Sequence, residues 1–318
     1  MAIFLSENEV KKLLTVAMAL EGVESAHRDL ALGQAIDMPR VRSRLPQTVL
    51  HILQGALPAQ GVIGYKAYTT NRSGNRFLVH LFDAAGGGLR AVLEADYLGM
   101  IRTGAVSGLA AKYLARPDAQ VAGVFGSGWQ AEGHVKAICA ALPLARVKVY
   151  SRKADKLRDF CQCLSEQTGV CVVPATSPED AVRGSDLLGT VSTAAQPLFE
   201  AEWLEPGVHI NAAGSNALIR QELSEAAVRR CGLVAVDSVP TALAEAGDLL
   251  PLLEKGRLHA RQLVELGDVI VGRHPGRRSD QEVTLFESQG MAIQDLAVAL
   301  RVVQAAEEQG IGRELPMQ

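Results

Sequence analysis

Hydrophobic and polar residues change their period several times along the chain, and each change marks an element. Val10, Leu13, Leu14, Ala17, Met18, Val23 and Ala26 fall on one helical stripe, which predicts a helix over 6–32, capped by Ser6 and stopped by Gly33. From Pro39 to Leu93 the period becomes two. That predicts strands near 40–45, 48–54, 61–69, 76–83 and 89–94, with Gly86 to Gly88 as the clearest hairpin turn. Residues 96–114 return to helix, and Pro117 with Asp118 marks a change of regime. Beyond 119, strands at 120–125, 146–150, 170–173, 186–191, 208–212 and 233–236 alternate with helices at 129–141, 154–168, 178–183 and 221–231. Such alternation is the α/β pattern and implies a parallel sheet with helices on both faces. A loop rich in Gly, Arg and Pro (272–279), a short strand near 282–286 and a helix over 288–309 follow.

At 318 residues the chain is about two domains long. Its net charge of −3, with no block of like charge, offers no surface for a polyanion, so nucleic acid is not an expected partner. The longest uncharged stretch, Leu45 to Tyr65, contains Pro46, Pro58 and three glycines and reads as strands and turns, so no membrane partner is expected either. The opening MAIFLSENEVKK lacks a basic leader before an apolar run, which makes the cytoplasm the expected location. Five cysteines, an odd number without a CxxC pair, read as reduced packing residues, and no metal site is expected.

The sharpest local signal is Val121-Ala-Gly-Val-Phe-Gly126-Ser127-Gly128-Trp129-Gln130-Ala131, a strand ending in G-x-G-x-x-A that opens a helix. In that setting Gly126 permits the tight turn, Gly128 lets backbone approach a pyrophosphate, and small Ala131 lets helix and strand pack closely. The expected ligand is a dinucleotide. At the end of the second strand, where an acid would read the ribose of NAD, the chain has Ser151, Arg152 and Lys153 instead. A hydroxyl followed by two cations suits a 2′-phosphate, which favours NADPH with NADH as the alternative donor. The plainer reading is that Arg152 and Lys153 decorate a solvent loop.

Arg40, Arg42 and Arg44 recur at period two in the first of the strands and therefore share one face of a sheet. Lys66 sits in the otherwise apolar run Val62-Ile-Gly-Tyr-Lys-Ala-Tyr, where a cation needs a partner. Arg102 begins a small-residue helix segment that can bring backbone or cofactor close. Each cation alone reads as a surface or salt-bridge group; together they point to a small carboxylate ligand.

Five segments then point in one direction: Gly64-Tyr65-Lys66-Ala67; Arg102-Thr103-Gly104-Ala105-Val106-Ser107; Gly126 to Ala131; Val236-Asp237-Ser238 with Glu245-Ala-Gly-Asp248; and Thr284 through Gln289-Gly290 to Asp295. In these the chain resembles the ornithine cyclodeaminase and mu-crystallin family over essentially its whole length. The resemblance implies a Rossmann-type NAD(P)-binding domain, expected over 116–287, inserted in a smaller α+β substrate-binding and dimerisation domain made of 1–115 plus 288–318. It also implies a homodimer. In that family an Arg of the first strand, with the residues matching Lys66 and Arg102, grips the substrate carboxylate. Arg42 is the choice here, with Arg40 and Arg44 left open by their spacing. Thr103 is expected to meet the cofactor phosphates, and Val191, Ser192 and Thr193 to pass beneath the nicotinamide.

Two departures shape the expected activity. Asn216 stands where cyclodeaminases carry a catalytic Asp, and an amide cannot serve as that general base, although Asn216 can still contact substrate. His51 stands where they carry a Glu, and a histidine can protonate an imine. Members without the Asp include ketimine reductases. The expectation is therefore NADPH-dependent reduction of a cyclic imine 2-carboxylate, Δ1-pyrroline-2-carboxylate to L-proline, with Δ1-piperidine-2-carboxylate to pipecolate as a second reaction, in amino acid or hydroxyproline degradation. Lys66, His51 and Asp295 are the candidate catalytic residues, Asp295 either balancing an iminium or forming a helix-face salt bridge. The alternatives are an ornithine or lysine cyclodeaminase using NAD, an alanine or opine dehydrogenase, and a non-enzymatic NADPH-bound mu-crystallin-like protein.

Overall fold

A computed structural model describes residues 2–215, 217 and 219–316. These form two compact units, Met1–Arg102 with Gly290–Gln318, and Thr103–Gln289. The division falls inside a helix, where the sequence pattern placed the break beyond its end.

Unit one begins with β1 (Ala2–Leu5), α1 (Glu7–Leu13) and α2 (Val16–Ala31). The single helix expected over 6–32 is thus two. Ser6 starts the first through a capping box, its N–H donating to Glu9 Oε2 at 2.7 Å. Thr15 breaks the stripe by capping the second, its Oγ1 accepting from Met18 N–H at 3.2 Å. There follow β2 (Ile36–Asp37), β3 (Val41–Arg44), β4 (Thr48–Leu57), β5 (Val62–Asn71), β6 (Gly74–Asp83), β7 (Leu89–Glu94) and α3 (Asp96–Leu114).

Unit two is built from β8 (Val121–Phe125), α4 (Trp129–Ala141), β9 (Arg146–Tyr150), α5 (Leu157–Thr168), β10 (Cys171–Pro174), α6 (Pro178–Val182), β11 (Leu187–Thr190), β12 (His209–Ala212), α7 (Glu225–Arg229), β13 (Leu233–Val236), α8 (Val239–Glu245), α9 (Leu250–Glu254), β14 (Leu263–Glu265), α10 (Leu266–Ile270) and β15 (Thr284–Glu287). The chain returns to unit one with α11 (Ala292–Gln309) and β16 (Arg313–Leu315). The last helix begins four residues later than the expected 288, because Gly290 takes a φ of +78° that an α-helix excludes.

The unit-one sheet runs β16-β1-β7-β6-β5-β4-β2, with β3 also on β4. Its two faces differ because side chains alternate along each strand. Leu53, Lys66 and Val79 are cross-strand neighbours on the face towards α11, where a Cβ on Gly64 would meet Leu296 of that helix at 3.1 Å. Ile63, Leu78 and Phe82 project from the opposite face, with Ile63 47% exposed.

The unit-two sheet is parallel throughout, in the order β10-β9-β8-β11-β12-β15-β13-β14. This is a doubly wound, Rossmann-type sheet, and its strand order reverses between β8 and β11. Strands covered on both faces read as unbroken apolar runs, as β13 does. Gly104 and Gly108 of α3 lie so close to α4 that added Cβ atoms would run into Gly133 and Ala137 backbone. The small-residue segment after Arg102 therefore serves helix–helix contact. All five cysteines are free, but Cys163 and Cys171 are exposed, correcting the reading of all five as packing residues.

Candidate functional site

In unit two, β8 delivers Gly126 to the switch point. Its φ of +127° and the Val191 carbonyl, 2.6 Å from where a Cβ would sit, both require glycine. Gly128 caps α4, and a Cβ there would meet no atom within 4 Å. Packing within the unit therefore does not demand glycine at that place, whereas a phosphate approaching the helix N-terminus would. Ala131 is fully buried between helix and sheet, as the motif requires.

Ser127 Oγ donates to Ser151 Oγ at 2.9 Å, which joins the glycine loop to the end of β9 and leaves Arg152 and Lys153 exposed beside it. Trp129 is partly exposed at the start of α4, while Gln130 Oε1 is buried without a hydrogen-bond partner among the described residues. Val191 N–H donates to Phe125 O at 3.0 Å, so Val191, Ser192 and Thr193 leave β11 alongside the glycine loop. Thr103 precedes Gly104 on α3, the helix that contacts α4. The structure thus brings the glycine loop, Ser151 to Lys153 and Val191 to Thr193 together at the C-terminal ends of β8, β9 and β11, and their chemistry fits a dinucleotide.

In unit one the cations converge. Lys66 Nζ and Arg102 Nε both donate to Asp295 Oδ1, at 2.9 and 2.8 Å. Arg102 Nη1 also donates to Gln294 Oε1 at 3.1 Å, and the Gln294 amide sits 3.0 Å from His27 Nε2. All five side chains are buried. Burial pushes Lys66 down to about 8 against the pull of Asp295, with Arg102 and Arg40 lowering it further. Burial also works to raise Asp295, but Arg102 and Lys66 outweigh it and hold that carboxyl below its usual value. At neutral pH two cations share one carboxylate, so the cluster carries an excess positive charge. Asp295 Oδ2 remains buried with no partner among the described residues.

The arginine trio shares this face. Arg42 lies opposite His51, and Arg44 opposite Val49. Arg40 is the member whose charge reaches both His51 and Lys66, while Arg44 is exposed. His51 stacks on Tyr68 with centroids 4.2 Å apart, and its Nε2 lies 3.2 Å from Thr70 Oγ1. Burial first, then Arg42, Arg40 and Arg44, pushes His51 down to about 4. It is neutral at pH 7, which does not fit the expected role of proton donor. Asn216 lies outside the described residues.

Sequence reasoning missed His27 and Gln294, whose signal was only polarity inside an apolar helical stripe. It also missed Phe77, whose ring lies under Lys66 with the centroid 5.2 Å from Nζ. Among the described residues no group of His, Cys, Asp and Glu is arranged to hold a metal, and no helix is long and apolar enough to cross a membrane.

A Rossmann-type unit, joined in one chain to a sheet-and-helix unit with buried cations, defines a class of two-unit α/β proteins. The chain belongs to the ornithine cyclodeaminase/mu-crystallin family, whose model matches residues 1–310. It is 34% identical to a Delta(1)-pyrroline-2-carboxylate reductase of Bacillus cereus over 323 residues, covering 98% of each chain. Among solved structures it is similar to Thermococcus litoralis Delta(1)-pyrroline-2-carboxylate reductase in complex with NADH and L-proline. The TM-score is 0.94 at 28% identity, over 98% of this chain and 100% of that one. It is also similar to an archaeal alanine dehydrogenase dimer with bound NAD, with a TM-score of 0.93 at 31% identity, over 100% of this chain and 99% of that one.

Proposed function

We propose that the protein is a nicotinamide-dependent imine reductase that converts Δ1-pyrroline-2-carboxylate to L-proline, with Δ1-piperidine-2-carboxylate as a second substrate. The observation that carries this is the buried Lys66–Asp295–Arg102 cluster. Its excess positive charge calls for an anion, and its one unmet carboxylate oxygen calls for a proton on nitrogen. A cyclic iminium 2-carboxylate offers both. The Bacillus and Thermococcus relatives, named for this reaction, support the reading.

In this mechanism Arg102 and Lys66 hold the substrate carboxylate, with Arg42 or Arg40 closing from β3. Asp295 Oδ2 accepts the iminium N–H and stabilises its charge. Lys66, still protonated at pH 7 and near its pKa of about 8, is the side chain suited to supply a proton. Gly126, Ser127, Gly128, Gln130 and Thr103 bind the dinucleotide, and Val191 to Thr193 support its nicotinamide end. The dinucleotide supplies hydride when bound. Ser151, Arg152 and Lys153, with no carboxylate among them, favour NADPH over NADH. The exposed apolar face of the unit-one sheet carries a groove of about 440 Å³ lined by Ile36, Met38, Ile63, Tyr65 and Phe82. With the dimeric archaeal relative, this supports a homodimer formed through that face. Free cysteines fit the reducing cytoplasm.

The test is oxidation of NADPH and NADH with freshly made Δ1-pyrroline-2-carboxylate, beside the six-membered imine and pyruvate plus ammonia. Rapid turnover of the cyclic imines, faster with NADPH, is expected. Turnover with pyruvate and ammonia alone would overturn this reading in favour of an alanine dehydrogenase, the second reading that the archaeal relative supports.

A further inference from the structure

Three carboxylates in unit two take no part in that mechanism, yet Glu222, Asp248 and Glu287 are all fully buried. Glu222 accepts Ser192 N–H on Oε1 at 2.6 Å and Gly214 N–H on Oε2 at 2.8 Å. Ser192 follows β11 and Gly214 follows β12, its neighbour in the sheet. One carboxylate therefore ties together the loops leaving two adjacent strands. The fit is close, since a Cβ on Gly214 would strike that carboxylate. Asp248 Oδ1 fixes the clamp from behind by accepting the N–H groups of Glu222 and Leu223 at 2.7 and 2.9 Å.

We propose that Glu222 is a positioning residue for the dinucleotide: its ionised carboxylate, holding Ser192 and Gly214 together, sets Val191–Thr193 against the glycine loop. This rests on the dinucleotide site proposed above. Coupling to the loop is direct, because Val191 N–H bonds Phe125 O and the Val191 carbonyl lies against Gly126. Both carboxylate oxygens accept here; an amide nitrogen cannot accept, and the hydroxyl oxygen of a protonated acid accepts more weakly than a carboxylate oxygen.

Burial pushes Glu222 up to about 7, with Asp248 adding to the rise against the hydrogen bonds from Ser192. The titratable groups facing it are Asp248, between α8 and α9, and Glu287, at the end of β15. Burial raises both, and Asp248 and Glu222 raise Glu287 further. Ionisation of Glu222 therefore completes as pH rises through neutrality, and the clamp should tighten in the same direction.

The experiment is the Kd of NADH for the wild-type protein and for Glu222→Gln, between about pH 5.5 and 8.5. NADH is the probe because a phosphate monoester titrates near about pH 6 and would confuse the profile. Wild-type affinity should rise about tenfold across the range, and E222Q should be flat and about tenfold weaker at the upper end, a difference of about 1.4 kcal/mol. Glu287→Gln replaces a facing acid that burial keeps protonated and touches neither loop amide, so it should keep both the rise and its midpoint. An E222Q protein with the wild-type Kd and pH profile overturns the proposal. Should E222Q not fold, hydrogen exchange on the wild type decides: the Ser192 and Gly214 amides should gain protection together as pH rises, relative to the rest of unit two, and constant relative protection overturns the clamp. Failure of the wild-type protein to bind NADH or NADPH at any pH removes the dinucleotide site itself, and the proposal with it.

Discussion

Unit one surrounds the carboxylate of Asp295 with the cations Lys66 and Arg102, whereas unit two packs Glu222, Asp248 and Glu287 near one another with hydrogen bonds from backbone amides and neutral side chains only, leaving Asp248 Oδ2 and Glu287 Oε2 without a partner among the described residues. Burial is equally complete in both places and by itself raises every one of these acids. Only the neighbours differ. Two cations reverse the shift at Asp295; neutral donors, with other acids close by, leave it raised at Glu287. At neutral pH the same residue chemistry thus gives a cluster with excess positive charge in one unit and a proton-holding cluster in the other.

Carboxylate-to-amide substitutions test this contrast, because the two units should respond with opposite sign. Asp295→Asn leaves Lys66 and Arg102 buried without their counter-ion, and we expect it to lower stability by about 3–5 kcal/mol, read as a large fall in Tm. An unchanged Tm would mean that the cluster is already neutral. Next in size, Arg102→Ala removes one charge-assisted contact to the substrate and should lower kcat/KM by about 30- to 100-fold, or about 2–3 kcal/mol. Dinucleotide affinity should stay within about twofold. Equal losses in both would show that Arg102 acts on the whole fold rather than on the substrate.

The smallest effect is expected from Glu287→Gln. A carboxyl raised in the folded state binds its proton more tightly there than in the unfolded chain. Its stabilising contribution is therefore present at low pH and is lost as pH rises above the unfolded carboxyl range. The amide cannot ionise and does not suffer that loss. E287Q should match the wild-type Tm near pH 5 and exceed it by about 2–4 °C near pH 8, an effect of about 1 kcal/mol. A Tm difference that does not change with pH would show that Glu287 is not the group holding the proton.

Legibility in the sequence followed how local each signal was. The capping box at Ser6, the glycine turn at Gly126 and the strand–helix alternation of unit two are set by residues within one turn or strand of each other, and they stand in the structure close to where the pattern placed them. The cap at Thr15 was equally local, but a continuous apolar stripe ran across it and hid the break. β1 and β16 were missed because each is a strand by virtue of partners distant in the chain: β1 lies between β7 and β16, and β16 pairs with β1, Ala2 opposite Leu315. The short α8, α9 and α10 span too few turns to show a period.

By itself the sequence determined the classes of residue available: a glycine loop between strand and helix, cations at period two, and no carboxylate directly after β9. Tertiary structure alone decided their partners. Lys66, Arg102 and Asp295 are separated by up to 229 positions in the chain and meet on one oxygen, and that meeting sets their charges. It also lowered the pKa of His51 by burying it beside three arginines, and it revealed the acids under Ser192 and Gly214. The reason is physical: propensity and period act through neighbouring residues, whereas the energy of a buried charge depends on what the rest of the fold brings within a few ångströms of it.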